Sequence, residues 1–290
     1  MNPFFSIIIP TYNRAKSLNY SLASLVKQTF KDFEVIVCDD GSSDNTLQVV
    51  EKYKNKLNIK YFFNSNFGGP AYPRNIGLKN SKGVWICFLD SDDSYIPERL
   101  ENLCSLNLEN YDFIYHKLEV KRGNKKVGEI KPRKLNIKNP FLDLLINSNT
   151  IPTSSTCIKK NILLNEYFSE DKLLIGIEDF DLWLRLARKN IRFYYFSKTL
   201  GTYNLGDNIT IGVQKDFSRI SQLFQNHKIF VKKESMNLYN ASLNYHKALC
   251  YYSTDDIITA NKIVINSILK SNLKLSLNFL KLFIIKNIFK

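Results

Sequence analysis

Residues Val84–Asp93 read VWICFLDSDD, an apolar run that stops abruptly in three acids around a serine. An unalternating apolar run of this length suits a strand buried on both faces. The same grammar occurs twice upstream. Phe4–Arg14, FFSIIIPTYNR, ends in Pro10-Thr11-Tyr12-Asn13-Arg14, and Phe33–Asp44, FEVIVCDDGSSD, ends in Asp39-Asp40-Gly41-Ser42-Ser43-Asp44. Between these runs Leu18, Leu22 and Leu25 recur at helical spacing, and Leu47 and Val50 begin a second stripe that Asp44 can cap. IKYFF (Ile59–Phe63) reads as a further strand. Strands alternating with helices predict an α/β fold with a mostly parallel central sheet and right-handed crossovers.

In open parallel sheets ligands bind at the carboxyl ends of the strands. The three polar clusters therefore converge on one cleft, although each alone also reads as a turn or a helix cap. Asp90 and Asp92 flank Ser91, so in extended backbone their carboxylates face the same way. Two such oxygens suit a hard cation, Mg²⁺ or Mn²⁺, whose shell is completed by water and phosphate. In Asn66–Asn75, NFGGPAYPRN, Gly68 and Gly69 allow close approach of backbone to ligand, and Arg74 can pair with phosphate or carboxylate. No GxxxxGK[ST] loop occurs, and no GxGxxG follows the first strand, which argues against a Walker cradle and a dinucleotide fold.

Farther along, YDFIY (Tyr111–Tyr115) is a fifth strand, and the lysine-rich stretch 117–138 reads as a hairpin or loop. Residues 139–148 look helical, TSSTCIKK (153–160) returns as a strand, 177–189 is a strong helix and IRFYYF (191–196) another strand. Beyond about Asp216 the pattern is helical to the end. This organisation divides the chain into 1–115, 116–214 and 215–290, the first two being halves of one domain.

Hydrophobic residues make up 44% and charged residues 23% of the 290, a globular balance that permits a sizeable core. The formal charge of +14 points to a polyanionic partner: nucleic acid, an anionic membrane or a phosphorylated substrate. No recognised nucleic-acid motif occurs, so nucleic acid is not expected. Five cysteines without a CxxC pair and three scattered histidines oppose a disulfide scaffold or a zinc site. The start, MNPFFSIIIP, lacks the marks of a signal peptide, and no apolar run is long enough to span a bilayer. The expected location is cytoplasmic, free or peripheral on the inner face of the membrane.

SIIIPTYNR, CDDGSSDNT, NFGGP with PRNIGL, GVWICFLDSDD and IEDFDLWLRLARK occur in this order over residues 4 to about 210. Together they resemble glycosyltransferase family 2, of GT-A fold. The resemblance implies an inverting, metal-dependent transferase that takes a sugar from a nucleotide-sugar donor, UDP by frequency in the family. It places Pro10, Thr11 and Tyr12, with Asn13 beside them, at the nucleoside, Asp40 at the base with Asp39 nearby, and Gly69 and Arg74 at the nucleotide. Asp90-Ser91-Asp92 look like the DxD motif, Asp92 binding the metal and Asp90 the ribose or sugar as well as the metal. Glu178-Asp179 look like the acidic pair in which Asp179 is the catalytic base. Acids also favour a helix start on electrostatic grounds alone. Trp183 either faces the acceptor or packs. The sequence departs from the pattern at Asn204 and Gly206, where many relatives carry Arg and His; Asp207 or Asn208 are the candidate replacements.

The last twenty residues, SNLKLSLNFLKLFIIKNIFK, set Leu273, Leu277, Leu280, Ile284 and Ile288 on one stripe. Leu275, Phe279 and Leu282 point elsewhere. So wide an apolar face packs on the domain, on a second copy as a homodimer, or on an anionic membrane. The expected partners are thus a nucleotide-sugar donor and a glycan or lipid-linked saccharide acceptor. A nucleotidyltransferase and a non-catalytic sugar-nucleotide binder are the competing functions.

Overall fold

A computed structural model of the chain describes residues 2–206, 217–268, 271 and 273–287. Strands β1 (Phe5–Thr11), β2 (Phe33–Asp39), β3 (Ile59–Phe63) and β4 (Trp85–Phe88) pair in parallel in the order β3-β2-β1-β4. Every residue of β1 is buried, and its neighbours enter different cores. Ile7 and Ile9 pack with Leu18, Leu22 and Leu25 of α1 (Ala15–Val26) and Val50 of α2 (Thr46–Tyr53). Ile8 faces the other way, with Ile36, Phe88 and Leu78 of α3 (Ala71–Asn80). That is why the run does not alternate. Each leucine so buried contributes about 1.5–3 kcal/mol. α3 lies directly on the sheet at Gly77, where a Cβ would stand 2.3 Å from Ile8 Cγ2.

Beyond β4 the parallel core continues into a mixed sheet. β8 (Thr156–Lys159) runs antiparallel to β4, and β6 (Phe113–Arg122) antiparallel to β8. β9 (Phe193–Asn204) is parallel to β6, while β5 (Ser94–Tyr95) and β7 (Lys125–Ile130) pair antiparallel with β9 and β6. Apolar patterning reports which faces of a strand are buried, and says nothing of its direction. β6 continues past Tyr115 into the lysine-rich stretch, so the hairpin reading holds for its first part. The division at 115/116 falls inside β6, and the two halves share one sheet. TSSTCIKK is strand only from Thr156; Thr153–Ser155 form a 3₁₀ turn.

α4 (Arg99–Cys104) packs beside β5, and α5 (Pro140–Asn147) and α6 (Glu178–Ala187) lie on the Ile8 side. Trp183 of α6 is fully buried, donates its indole N–H to the Ile151 carbonyl at 3.3 Å and meets Phe113 edge to face. It therefore packs. α7 (Phe217–His227), α8 (Met236–Ser253), α9 (Ile257–Ile268) and α10 (Leu273–Asn287) follow. Ala248, Tyr252 and Val264 form a third core with Leu275, Phe279 and Leu282 of α10, joined to α5 through Ile146. The docking stripe of the tail is thus 275/279/282. Leu277 and Leu280 are exposed on the other side. Among the described residues no helix is long and apolar enough to cross a membrane. Ile288 lies outside the described residues.

Candidate active site

The carboxyl ends of β1, β2 and β4 open on a cavity of about 2360 Å³. Pro10, Thr11, Tyr12, Asn13, Asp40, Gly69, Arg74, Asp90, Ser91, Asp92, Glu178 and Asp179 all line it. Of the residues singled out in the sequence, Asp39 does not. Its carboxylate accepts from the Ser42 N–H at 2.8 Å and the Tyr61 hydroxyl at 2.6 Å, which holds the turn at Gly41, φ +89°. Asp44 caps as expected, and does so twice: one oxygen accepts from Thr46 N at the start of α2, the other from Ala15 N at the start of α1. Asn13 accepts from Ser43 N and donates its own N–H to Ser42 Oγ, lacing the first two loops together. Asp40 accepts from the N–H groups of Phe67 and Gly68 at 3.0 and 3.2 Å, so it fixes the glycine loop against β2. Burial pushes its carboxyl above the usual range despite those bonds.

Arg74 joins the ends of β4 and α6. One guanidinium nitrogen donates to Asp90 at 2.7 Å, another to Glu178 at 2.6 Å, and the group sits 5.1 Å from the Phe168 ring centroid. Glu178's second oxygen accepts from Gly176 N at 2.6 Å. Its carboxylate therefore ties Arg74 to the loop that leads into α6. Asp92 is paired with Arg14 at 2.6 Å, a residue quoted within the first motif but given no role there. Asp93 is buried and accepts from Asn204 N at 3.1 Å. Burial, and then the charge of Asp90, push Asp92 and Asp93 above the usual carboxylate range.

Crowded carboxylates at a cavity edge are what a divalent cation relieves. Asp90 and Asp92 supply two hard oxygen donors, enough for Mg²⁺ or Mn²⁺ when water and phosphate complete the shell. Among the described residues no group of three His, Cys, Asp or Glu side chains is arranged to hold an ion. The donor set thus fits a cation shared with substrate. At the position of the family's arginine, the Asn204 side-chain amide donates to the Asp92 carbonyl. Asp207 and Asn208 lie outside the described residues.

Asp179 faces this acidic edge from the start of α6. One oxygen accepts from Thr153 Oγ1 at 2.9 Å and from Asn149 Nδ2 at 3.4 Å; the other accepts from Phe180 N at 2.6 Å. Burial, reinforced by the charge of Glu178, pushes its carboxyl up to about 7. A carboxylate with that value near neutral pH can both hold and accept a proton. The helix dipole accounts for acids here, but not for one aimed into the cavity with its proton affinity raised. Asn149 and Thr153 were not legible as site residues, since an irregular loop and a 3₁₀ turn leave no periodic trace.

The remaining wall comes from the C-terminal helices. His246, Leu249, Cys250 and Ser253 of α8 line the cavity, and His246 Nε2 lies 3.0 Å from Ser148 Oγ. Burial holds the His246 imidazole down at about 4, so it is neutral at pH 7. No motif beyond residue 215 signalled this contribution.

Known proteins resemble this chain as follows. The sequence pattern described as "Glycosyl transferase family 2" matches residues 6–168. Poly(ribitol-phosphate) beta-N-acetylglucosaminyltransferase TarS of Staphylococcus aureus (strain Mu50) is 40% identical over 174 residues, which are 58% of this chain but only 30% of that protein. A crystal structure of S. aureus TarS 1-349 in complex with UDP is matched with a TM-score of 0.61 at 24% identity, over 97% of this chain and 92% of that one. That likeness carries the fold. The GalNAc(5)-diNAcBac-PP-undecaprenol beta-1,3-glucosyltransferase of Campylobacter jejuni is 29% identical, over 87% of this chain and 83% of that protein. The UDP-Glc:alpha-D-GlcNAc-diphosphoundecaprenol beta-1,3-glucosyltransferase WfgD of Escherichia coli is 35% identical, over 64% of this chain and 70% of that protein.

Proposed function

The chain belongs to glycosyl transferase family 2, and from that premise we propose that it is an inverting glycosyltransferase. It takes a sugar from a nucleotide-sugar donor, with UDP as the nucleotide, and attaches it to a hydroxyl of a glycan or lipid-linked saccharide. The observation that carries this reading is Asp179: a carboxylate raised to about 7, held by Thr153 and facing the Asp90–Asp92 edge across one cavity.

In the proposed reaction Asp179 accepts the acceptor's hydroxyl proton as its oxygen attacks the anomeric carbon. The new C–O bond forms as the bond to the nucleotide diphosphate breaks on the opposite face, so configuration inverts. Arg74 holds Asp90 and Glu178 in register, so the base and the donor pocket keep a fixed separation. Asp40 holds the glycine loop from which Gly69 approaches the nucleotide. Asp92 and Asp90 would hold Mn²⁺ or Mg²⁺, which when bound supplies positive charge against the leaving diphosphate. Names of the relatives support the donor and acceptor classes: WfgD takes UDP-Glc, and it and the C. jejuni enzyme act on undecaprenyl-linked saccharides.

The same reading places the enzyme peripherally at a membrane, with Leu277 and Leu280 of α10 on its outer face. Exposed leucines beside lysines suit shallow insertion into an anionic surface. The test is a screen of nucleotide sugars for binding and slow hydrolysis, with and without chelator. UDP-sugar turnover that chelation abolishes and Mn²⁺ or Mg²⁺ restores is expected. Full turnover under chelation would remove the metal from the proposal, and no binding of any nucleotide sugar would remove the function.

A further inference from the structure

Residues 117–138 hold nine Lys or Arg and two Glu, a net +7 and half of the chain's formal +14. Five of the nine cations, Lys117, Lys121, Arg122, Lys125 and Lys126, sit on the β6–β7 hairpin, whose place is fixed. Lys121 pairs in register with Asn204, and Leu205 N donates to the Lys121 carbonyl at 2.7 Å. Asn204 in turn is bonded to Asp92 and Asp93. The root of the hairpin tip is thus one strand away from the acidic edge, and Lys121, Gly123 and Asn124 line the same cavity.

Within the tip, Arg122 stands opposite Lys125, and Lys121 opposite Lys126. Like charges directly across an antiparallel pair are destabilising. Glu119 relieves the inner pair, at 3.1 Å from Lys121 and 3.0 Å from Lys126. The outer pair, Arg122 and Lys125, is exposed at the turn. The Arg122–Lys125 pair, on the opposite face from the one Glu119 serves, costs stability in the absence of an anion. Guanidinium and ammonium groups side by side match the oxygens of a phosphate.

We propose that this tip binds the phosphate groups of the acceptor, which makes the acceptor a saccharide carried on a phosphate-bearing lipid. The assignment rests on the glycosyl-transfer reading above. The acceptor is favoured over the membrane surface because Lys121, Gly123 and Asn124, the tip residues beside Arg122 and Lys125, line the reaction cavity. The donor's own phosphates are the competing occupant, since the tip root lies one strand from Asp92, and UDP affinity separates the two.

The experiment compares the wild-type chain, Arg122→Glu/Lys125→Glu at the tip, and Lys52→Glu/Lys56→Glu as a matched charge change on and just after α2. Each is sedimented with phosphatidylcholine vesicles doped with a long-chain prenyl diphosphate. Each is also sedimented with phosphatidylglycerol vesicles of equal charge, and UDP affinity is measured by calorimetry. Binding to the diphosphate vesicles should fall about tenfold or more in the tip variant alone, with phosphatidylglycerol binding and UDP affinity unchanged. Equal losses in both variants would show a general charge effect. Equal losses on both vesicles would show that the tip reads a membrane surface, and a parallel loss of UDP affinity would assign it to the donor. Each of these overturns the proposal. A wild-type chain that binds no nucleotide would sink the glycosyl-transfer reading, leaving the tip a phosphate site without an acceptor to serve, whereas the vesicle comparison judges the tip itself.

Discussion

The two walls of the cavity are built on different plans. The wall formed by β1, β2 and β4 uses contiguous motifs, each an apolar strand followed by its own polar residues. The facing wall is assembled from separate pieces: the hairpin tip at Lys121–Lys126, the turn at Asn149–Thr153, the start of α6 and the side of α8. Where a strand end carries its chemistry with it, the fold positions the site automatically. Where the pieces are far apart, individual bonds must do so: Arg74 to Glu178, Thr153 to Asp179, Ser148 to His246. The second wall should therefore be the more sensitive to single polar substitutions.

The largest effect is expected at Asp179. Asp179→Asn should lower turnover by roughly a hundred- to ten-thousand-fold, with donor affinity little changed, because the donor wall is intact. Turnover near normal in single-turnover assays would mean that the base is elsewhere. Arg74, the tie between the walls, comes next. Arg74→Met leaves Glu178 buried, and Asp90 at the cavity edge, without their cation, and should cost about 3–5 kcal/mol in denaturant unfolding. Arg74→Lys keeps the charge but not the fork, so it should fall between. A loss under about 1 kcal/mol would show that the walls hold their spacing without it. The smallest folding effect is expected on the outer face of α10. Leu277→Ser/Leu280→Ser should change stability by no more than about 0.5 kcal/mol per site, yet reduce sedimentation with anionic vesicles several-fold. A large fall in melting temperature instead would place these leucines in a packed core.

The contrast also explains what could be read from the sequence. The buried strands and helices of the first hundred residues were legible because burial on two faces leaves an unbroken apolar run, as in Phe5–Ile9. That the polar residues after these strands line one cavity followed from their place at the strand ends. Asp39 stands outside the cavity lining, and its turn-holding bonds to Ser42 and Tyr61 leave no mark that a sequence shows. The mixed direction of the outer strands was hidden, since β8 is four residues long and carries no directional mark. Asn149, Thr153 and His246 were hidden because they act through tertiary bonds to Asp179 or to its neighbouring loop. In the tail, two apolar stripes were visible, but only packing reveals that Leu275, Phe279 and Leu282 dock while Leu277 and Leu280 remain outside.

The central claim is that Asp179, its proton affinity raised by burial and by Glu178, is the base of a sugar transfer. The pH dependence of kcat/KM tests it most directly, because that ratio reports groups of the free enzyme. The base must be ionised, and a raised carboxyl loses its proton only as pH climbs through its own value. Activity should therefore rise with pH and level off above about 7. Glu178→Gln removes one cause of the elevation and should move that limb to lower pH. A profile that stays flat from about pH 5.5 to 8, or a limb that Glu178→Gln leaves in place, would contradict the account.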